Sequence, residues 1–176
     1  MLQLIEPDEK YTHGYWDAYN GSMDKYREGI IKKHNFMFLN PDEVDIIQRY
    51  ADNRDPAKLK PGYVPNFTYF LVDDNNFIGF INIRTCLTDA LLRYGGNIGY
   101  AINPAYWRNG YGTKLLELGL RKAKEMVTDN KVLLTCDDDN IGSYKIIEKN
   151  GGVLENKVQN ESEGETFLTR RYWIKI

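Results

Sequence analysis

One stretch of the chain, residues 97–152, decides the fold: NIGYAINPAYWRNGYGTKLLELGLRKAKEMVTDNKVLLTCDDDNIGSYKIIEKNGG. Its first part, Ile98–Ile102, has the composition of a strand, and Pro104 ends that strand because proline has no N–H to donate. A loop with two glycines follows and leads directly into a predicted helix from Lys114 to about Val127. The stretch therefore begins with a strand, a glycine-bearing loop and a helix.

The second part of the stretch repeats this order. The short apolar run at 131–136 is typical of a buried strand. Asn140 then opens a helix predicted from Ser143 to about Asn150, and Gly151-Gly152 stops it in the manner of a C-terminal cap. Two strands that are each followed by a helix indicate an α/β fold.

The loop between the first strand and its helix is Trp107-Arg108-Asn109-Gly110-Tyr111-Gly112-Thr113. Such a loop directs several main-chain N–H groups at one point in front of a helix N-terminus, and that point attracts phosphate. Gly110 and Gly112 lack a Cβ, so an anion can approach the main chain closely. An ordinary helix-opening loop has the same residues about as often as a phosphate-binding loop does. The apolar strand and Asn140 that follow favour the phosphate-binding interpretation.

This assembly resembles the acyl-CoA-binding core of the GNAT superfamily of N-acetyltransferases. The family pattern Q/R-x-x-G-x-G/A aligns with Trp107-x-x-Gly110-x-Gly112, so both glycines match and Trp stands where the family has Gln or Arg. Arg108, the next residue, can supply the missing positive charge. Asn140 lies where the family has an Asn that opens the following helix and binds the pantetheine arm.

A narrower resemblance covers most of the chain from residue 62 onward, to bacterial GNAT-type acetyltransferases whose acceptors are mostly unassigned. The segments that carry it are Gly62-Tyr63-Val64-Pro65, Arg84-x-x-Leu87, Gly95-Gly96-x-Ile98-Gly99-Tyr100, Cys136-Asp137-x-x-Asn140 and Arg171-Tyr172-Trp173.

The resemblance implies a fold and a reaction. The fold would be α/β, with a mixed, mainly antiparallel sheet of about seven strands and helices on both faces. The reaction would move acetyl from acetyl-CoA, the co-substrate, to a primary amine of a small molecule or a protein. The implied cofactor contacts are a main-chain N–H near Ile102 facing the thioester, then Trp107, Arg108, Asn109, Gly110, Tyr111, Gly112, Thr113, Asn140 and Ser143.

The catalytic candidates are less well matched. Many family members have a tyrosine seven residues after the helix-opening Asn, as the acid for the departing thiolate, but here that position is Ile147. Tyr144 shares a helix face with Asn140 and Ile147, so it is a candidate acid, the alternative being a packing tyrosine.

No glutamate lies on the 97–102 strand, where several relatives have a base. The cluster Asp137-Asp138-Asp139 precedes a helix, so capping is its simplest role. Asp137, next to the strand end, is the member placed to hold a water or an acceptor amine. A competing hypothesis is a non-catalytic acyl-CoA-binding sensor or interaction module.

Composition limits the function classes. A chain of 176 residues suits one domain, 1–176, and a net charge of −2 argues against a general nucleic-acid binder. No apolar run reaches the ~18 residues that span a membrane, and the first seven residues predict a strand rather than a signal peptide. Cys86 and Cys136 are predicted to be buried free thiols in a cytoplasmic protein. The resemblance also allows a homodimer.

The remaining chain predicts helices at about 8–33 and 41–52, the latter with Asn40 as N-cap, a hairpin at 67–84 with a turn at 73–76, and last strands at about 153–159 and 167–174. His13 and His34 have no metal-ligand spacing, so no metal is predicted and each is interpreted as a surface or packing residue. Tyr11, Tyr15 and Tyr19 recur at helical spacing. They predict a core-facing stripe or, by the resemblance, an aromatic wall of the acceptor site.

Overall fold

The computed structural model describes residues 1–162 and 164–176, which form one seven-stranded sheet. The strands are β1 (Leu2–Ile5), β2 (Asn66–Asp73), β3 (Asn76–Arg84), β4 (Ile98–Ile102), β5 (Lys131–Asp137), β6 (Val153–Ser162) and β7 (Glu165–Lys175). Their spatial order is β1-β2-β3-β4-β5-β7-β6; β4 and β5 are parallel, and the other neighbours are antiparallel. The predicted mixed, mainly antiparallel sheet is confirmed.

The helices are α1 (Thr12–Arg27), α2 (Ile46–Asp52), α3 (Asp89–Arg93), α4 (Tyr111–Met126) and α5 (Ile141–Lys149). The predicted helix at 8–33 is too long. It ends where Gly29 takes φ +74°, and the N–H groups of Gly29 and Ile30 donate to the carbonyls of Tyr26 and Lys25. That pair of hydrogen bonds is a Schellman motif, which a glycine in the left-handed region permits.

The predicted start of the second helix is also wrong. The side chain of Asn40 accepts from the N–H of Asp42 and so forms a turn. The helix begins later, at Ile46, because Asp45 caps it by accepting from the N–H of Gln48 at 3.0 Å.

Helices cover both faces of the sheet, since successive strand residues point to opposite faces. On one face α1 and α2 pack on Phe70 and Phe80, and on the other α4 and α5 pack on Leu71 and Ile81. Tyr15 of α1 is fully buried, and its hydroxyl contacts Tyr50 Oη at 3.0 Å and accepts from the N–H of Leu39. Tyr11 is buried beside it, so the core-facing interpretation of the stripe is correct for both residues.

The two cysteines differ. Cys136 on β5 is buried, as predicted, and burial raises the pKa of its thiol to about 12. Cys86 is exposed, contrary to the prediction, because β3 ends at Arg84 and the chain bends there.

In the part of the chain that the structure describes, no helix is long and apolar enough to cross a membrane, and no three potential ligands cluster into a metal site.

Candidate active site

The site begins as a gap between the two parallel strands. Within the described residues, β4 and β5 pair at one position, Ile98 with Leu134. Just before that pair, the main-chain N–H of Asn97 donates to the carbonyl of Leu133, and the buried Asn97 Oδ1 accepts from the N–H of Leu133 at 2.8 Å. Beyond Ile98 the strands part, so the gap opens toward their C-terminal ends.

The far end of β4 presents a main-chain donor to this gap. Asn103 donates its N–H to the carbonyl of Ile78 on β3. Hydrogen-bonding direction alternates along an antiparallel strand, so the N–H of Ile102 points the other way, toward β5. The carbonyl of Ile102 accepts from Trp107 Nε1 at 2.8 Å, so the indole holds the loop against the strand end. Trp107 thus has a structural role at the position where the family pattern has Gln or Arg.

The loop then opens α4. Arg108 and Gly110 both take left-handed φ angles, +63° and +82°, which turn the main chain into the helix. A Cβ at Gly110 would meet nothing within 4 Å, so the approach to that main chain is open. Gly112 differs, because a Cβ there would lie 2.5 Å from Ile146 Cδ1 of α5. The missing side chain at Gly112 therefore lets the two helices pack closely, a reason that the loop pattern did not reveal.

The N-terminus of α5 lies across the gap. Asn140 Oδ1 accepts from the N–H of Ser143 at 3.0 Å and caps the helix. Ser143 Oγ lies 2.9 Å from the hydroxyl of Tyr100, which projects from the unpaired part of β4. Desolvation raises the pKa of Tyr100 well above its ordinary value, so this hydroxyl stays protonated at neutral pH. Sequence reasoning missed Tyr100, because alternation along a strand gives no indication of what a tyrosine contacts.

The predicted acid, Tyr144, lies on the same helix. The guanidinium carbon of Arg170 is 4.1 Å from the centroid of its ring, in cation–π geometry. Arg170 Nε in turn donates to Asp138 Oδ1 at 2.6 Å, and Lys157 contacts the same oxygen at 2.7 Å. Tyr144 is thus placed beside a fixed positive charge.

The capping interpretation of the aspartate cluster is wrong. Asn140 caps α5, and each aspartate has another partner. Lys157 and Arg170 hold the pKa of Asp138 below its usual range, and Asp139 contacts Lys32 Nζ at 2.7 Å. The cluster ties the end of β5 to β6, to β7 and to the segment that follows α1.

Asp137 is the buried member, with 2% of its side chain exposed. It is the last residue of β5 and points to the face that carries α1, opposite to Cys136. Its Oδ2 lies 2.8 Å from His34 Nε2, accepts from Asn35 Nδ2 at 2.8 Å and lies 3.6 Å from Lys32 Nζ. Its Oδ1 is buried and has no hydrogen-bond partner among residues 1–162 and 164–176.

His34 was interpreted from the sequence as a surface or packing residue, and the structure places it in this cluster. Its side chain is 9% exposed, and its ring stacks on Phe167 at a centroid distance of 4.0 Å. It also lines a cavity of about 480 Å³ together with Tyr26, Gly29, Ile31, Lys32, Lys33, Ser162 and Glu165. No local pattern could have paired His34 with Asp137, because 103 residues separate them.

Comparisons with known proteins show the family of this chain. Residues 22–153, three quarters of the chain, match the model of the acetyltransferase (GNAT) domain. The chain belongs to the GNAT acetyltransferase family. It is 28% identical over 107 residues to an uncharacterized N-acetyltransferase, YjdG, of Bacillus subtilis (strain 168). That alignment covers 53% of this chain and 64% of the relative, which is less than two thirds of its length.

Solved structures share the GNAT fold over almost the whole chain. The microcin C7 self-immunity acetyltransferase MccE, in complex with acetyl-CoA and AMP, matches with a TM-score of 0.72 and 17% identity, covering 99% of this chain and 92% of that one. RimL, a ribosomal L7/L12 alpha-N-protein acetyltransferase in complex with coenzyme A, matches with a TM-score of 0.72 and 16% identity over 99% and 94%.

The predicted site residues of this GNAT acetyltransferase fall into two groups. Ile102, the 107–113 loop, Asn140 and Ser143 meet around the gap, with Tyr144 on the same helix as the last two. Asp137 stands apart from them on the opposite face of the sheet, with His34. Both groups border the C-terminal end of β5, because Asp137 is its last residue and Asn140 follows three residues later.

Proposed function

We propose that this GNAT acetyltransferase transfers an acetyl group from acetyl-CoA to a primary amine. The observation that carries the proposal is the parting of β4 and β5 beyond Ile98 and Leu134, with the N-termini of α4 and α5 on its border. Helix N-termini favour anions, and the N–H of Ile102 faces the same gap. An acyl-CoA has the parts that such a border would bind: phosphates, a polar arm and a thioester.

The residues fit this co-substrate group by group. Arg108 and the main-chain N–H groups from Gly110 to Thr113 would hold the pyrophosphate at the start of α4. Asn140 caps α5 through Oδ1, which leaves its amide nitrogen for the pantetheine arm, and Ser143 stands beside it. The N–H of Ile102 would stabilise negative charge on the thioester oxygen. That MccE and RimL were solved with acetyl-CoA or coenzyme A supports this assignment.

The acceptor class stays open between two kinds of amine. RimL is described as acting on a ribosomal protein, and MccE was solved with AMP in addition to acetyl-CoA. We propose that this chain takes a primary amine of a small molecule or a protein, and that it acts in the cytoplasm, where its two free cysteines would stay reduced. Asp137, buried with an unpartnered Oδ1, is proposed to take part in handling the amine proton.

The proposed function is tested by thiol release. We expect the purified chain to release CoA from acetyl-CoA only when an accepted amine is present, in a panel of polyamines, amino acids, aminoglycosides and peptides with free N-termini. Mass spectrometry should find one acetyl group on the amine. Tight acetyl-CoA binding by calorimetry without amine-dependent release from any panel member would instead favour the non-catalytic sensor.

Tyr144→Phe tests the proposed acid. If the hydroxyl returns a proton to the departing thiolate, the change should lower kcat by about 10²-fold with little change in acetyl-CoA affinity. The ring contact with Arg170 is kept in the variant, so the fold should not change. A kcat within threefold of wild type would leave Tyr144 as a packing residue, with the thiolate departing unaided.

A further inference from the structure

We propose that His34, oriented by Asp137, is the base that takes the proton from the acceptor amine, and that the cavity beside His34 receives that amine. The proposal rests on the proposed acetyl transfer and adds to it the proton acceptor and the side from which the acceptor enters. The site residues predicted from the sequence supply neither a proton acceptor nor an entry side for the amine, because all of them except Asp137 lie around the gap on the other face of the sheet.

The hydrogen bond to Asp137 sets the tautomer of the ring. Asp137 is the last residue of β5 and is almost fully buried. The same Oδ2 that His34 contacts accepts a hydrogen bond from Asn35 and lies near the positive charge of Lys32. A carboxylate in this position accepts hydrogen bonds, so the ring proton lies on Nε2. The lone pair of the imidazole is therefore on Nδ1. A carboxylate that fixes the other nitrogen in this way is the arrangement that prepares histidine as a base.

The ring is also held in place on its other sides. Phe167 stacks on it with an interplanar angle of 13°, and Tyr94 meets it edge-on at 6.3 Å between centroids. The hydroxyl of Tyr94 donates to the main-chain carbonyl of His34 at 3.1 Å. These contacts come from β7 and from the segment before β4, so elements distant in sequence position one imidazole. A surface histidine needs no such support.

The cavity gives this base access to a substrate. It is bordered by the segment between α1 and α2, by Ser162 at the end of β6 and by Glu165 at the start of β7, and His34 forms part of its wall. Among the described residues, the charged groups at the ring and along the cavity are Asp137, Lys32, Lys33 and Glu165, and Asp139 pairs with Lys32. A smaller cavity of about 260 Å³ shares Lys32 and lies along Asp138, Asp139 and Phe167, at the end of β5.

The transfer replaces the C–S bond of the thioester by a C–N bond. The nitrogen of the amine forms a bond to the carbonyl carbon of the thioester, the C–S bond breaks, and the sulfur leaves with that electron pair. The proton lost from nitrogen goes to Nδ1 of His34. The imidazolium then releases it, and the thiolate is protonated, so the products are an N-substituted acetamide and CoA thiol.

The first test needs no turnover. The chain has two histidines, and the side chain of His13 is 93% exposed, so His13→Gln assigns both imidazole signals by ¹⁵N NMR. We expect the neutral ring of His34 in the wild type to be the Nε2–H tautomer, and the mixture of tautomers to change in Asp137→Asn. An Nδ1–H tautomer in the wild type would overturn the proposal, because Nδ1 would then have no lone pair.

The second test is kinetic. His34→Gln keeps a donor toward Asp137 but has no basic nitrogen, so kcat should fall at least 10²-fold while acetyl-CoA affinity is unchanged. A histidine base predicts an acid limb in the wild-type profile of kcat against pH, and this limb should be absent from the variant. Imidazole added to His34→Ala should restore part of the rate. His13→Gln is the matched control and should behave as wild type.

The outcomes separate the two proposals. If the wild type releases thiol with an amine and His34→Gln keeps kcat within threefold with the acid limb intact, the base assignment is wrong and the proposed function stands. If the wild type turns over no amine, both fail. If neither His34→Gln nor His34→Ala folds, the tautomer of the wild-type ring still decides: Nε2–H supports the base assignment and Nδ1–H overturns it.

Discussion

Gly96→Ala is expected to lower the free energy of unfolding by roughly 2–5 kcal/mol, because two separate costs add at that position. Gly96 has φ +62°, a conformation that costs an L-residue about 1–2 kcal/mol. In addition, a Cβ there would overlap the carbonyl oxygen of Leu133 on β5, a main-chain atom that cannot rotate away. Urea unfolding measures the loss directly.

Gly29→Ala is the matched control for this prediction. Gly29 has φ +74°, but a Cβ there would meet nothing within 4 Å, so only the backbone cost applies. We expect Gly29→Ala to lower the free energy of unfolding by about 1 kcal/mol. Equal losses in the two variants would show that β5 does not press on Gly96, and the junction of β4 and β5 at Asn97 would then be looser than described.

The phosphate-binding role that we propose for the α4 N-terminus predicts a large effect of an added negative charge on acetyl-CoA affinity, once the effect of charge is separated from that of packing. Gly112→Asp alone would also push on Ile146, 2.5 Å from the added Cβ, and would confuse the two effects. The substitution is therefore made in an Ile146→Ala background, which opens space for a side chain. Gly112→Asn in the same background is the isosteric, uncharged partner.

In that pair, the Asp variant should bind acetyl-CoA about tenfold more weakly than the Asn variant, a difference of about 1.4 kcal/mol. The reason is repulsion between the added carboxylate and the pyrophosphate at the helix N-terminus. Calorimetry at low salt measures it, and a pantetheine fragment without phosphates should show no difference. Equal acetyl-CoA affinities would place the phosphates elsewhere.

Much of the fold was predictable because local sequence patterns determine its helices and strands. The strands and helices between residues 98 and 150 follow from apolar periodicity, a proline, glycines and one capping Asn, all within a few positions of their effect. The start of α2 was missed because Asn40 and Asp45 are both good caps, and only packing decides between them. Gly29 was overlooked as a helix stop, although a glycine after the last apolar turn is the usual signal.

The site was predictable only where it is local. The loop, Asn140 and Ser143 belong to one motif, so their meeting around the gap follows from chain order. The pairing of His34 with Asp137 depends on a segment 103 residues away folding over the end of β5. The role of Gly112 likewise depends on a side chain of another helix. Such contacts arise from tertiary packing, and no local pattern in a single sequence predicts them.

The two faces of the sheet give the proposed reaction a property of its own. The co-substrate would approach from the side of α4 and α5, and the acceptor from the side of α1 through the cavity at His34. Neither molecule then crosses the path of the other, so each can arrive and depart while the other is in place. The two substrates would therefore reach the gap between β4 and β5 from opposite faces of the sheet, and either of them could bind first.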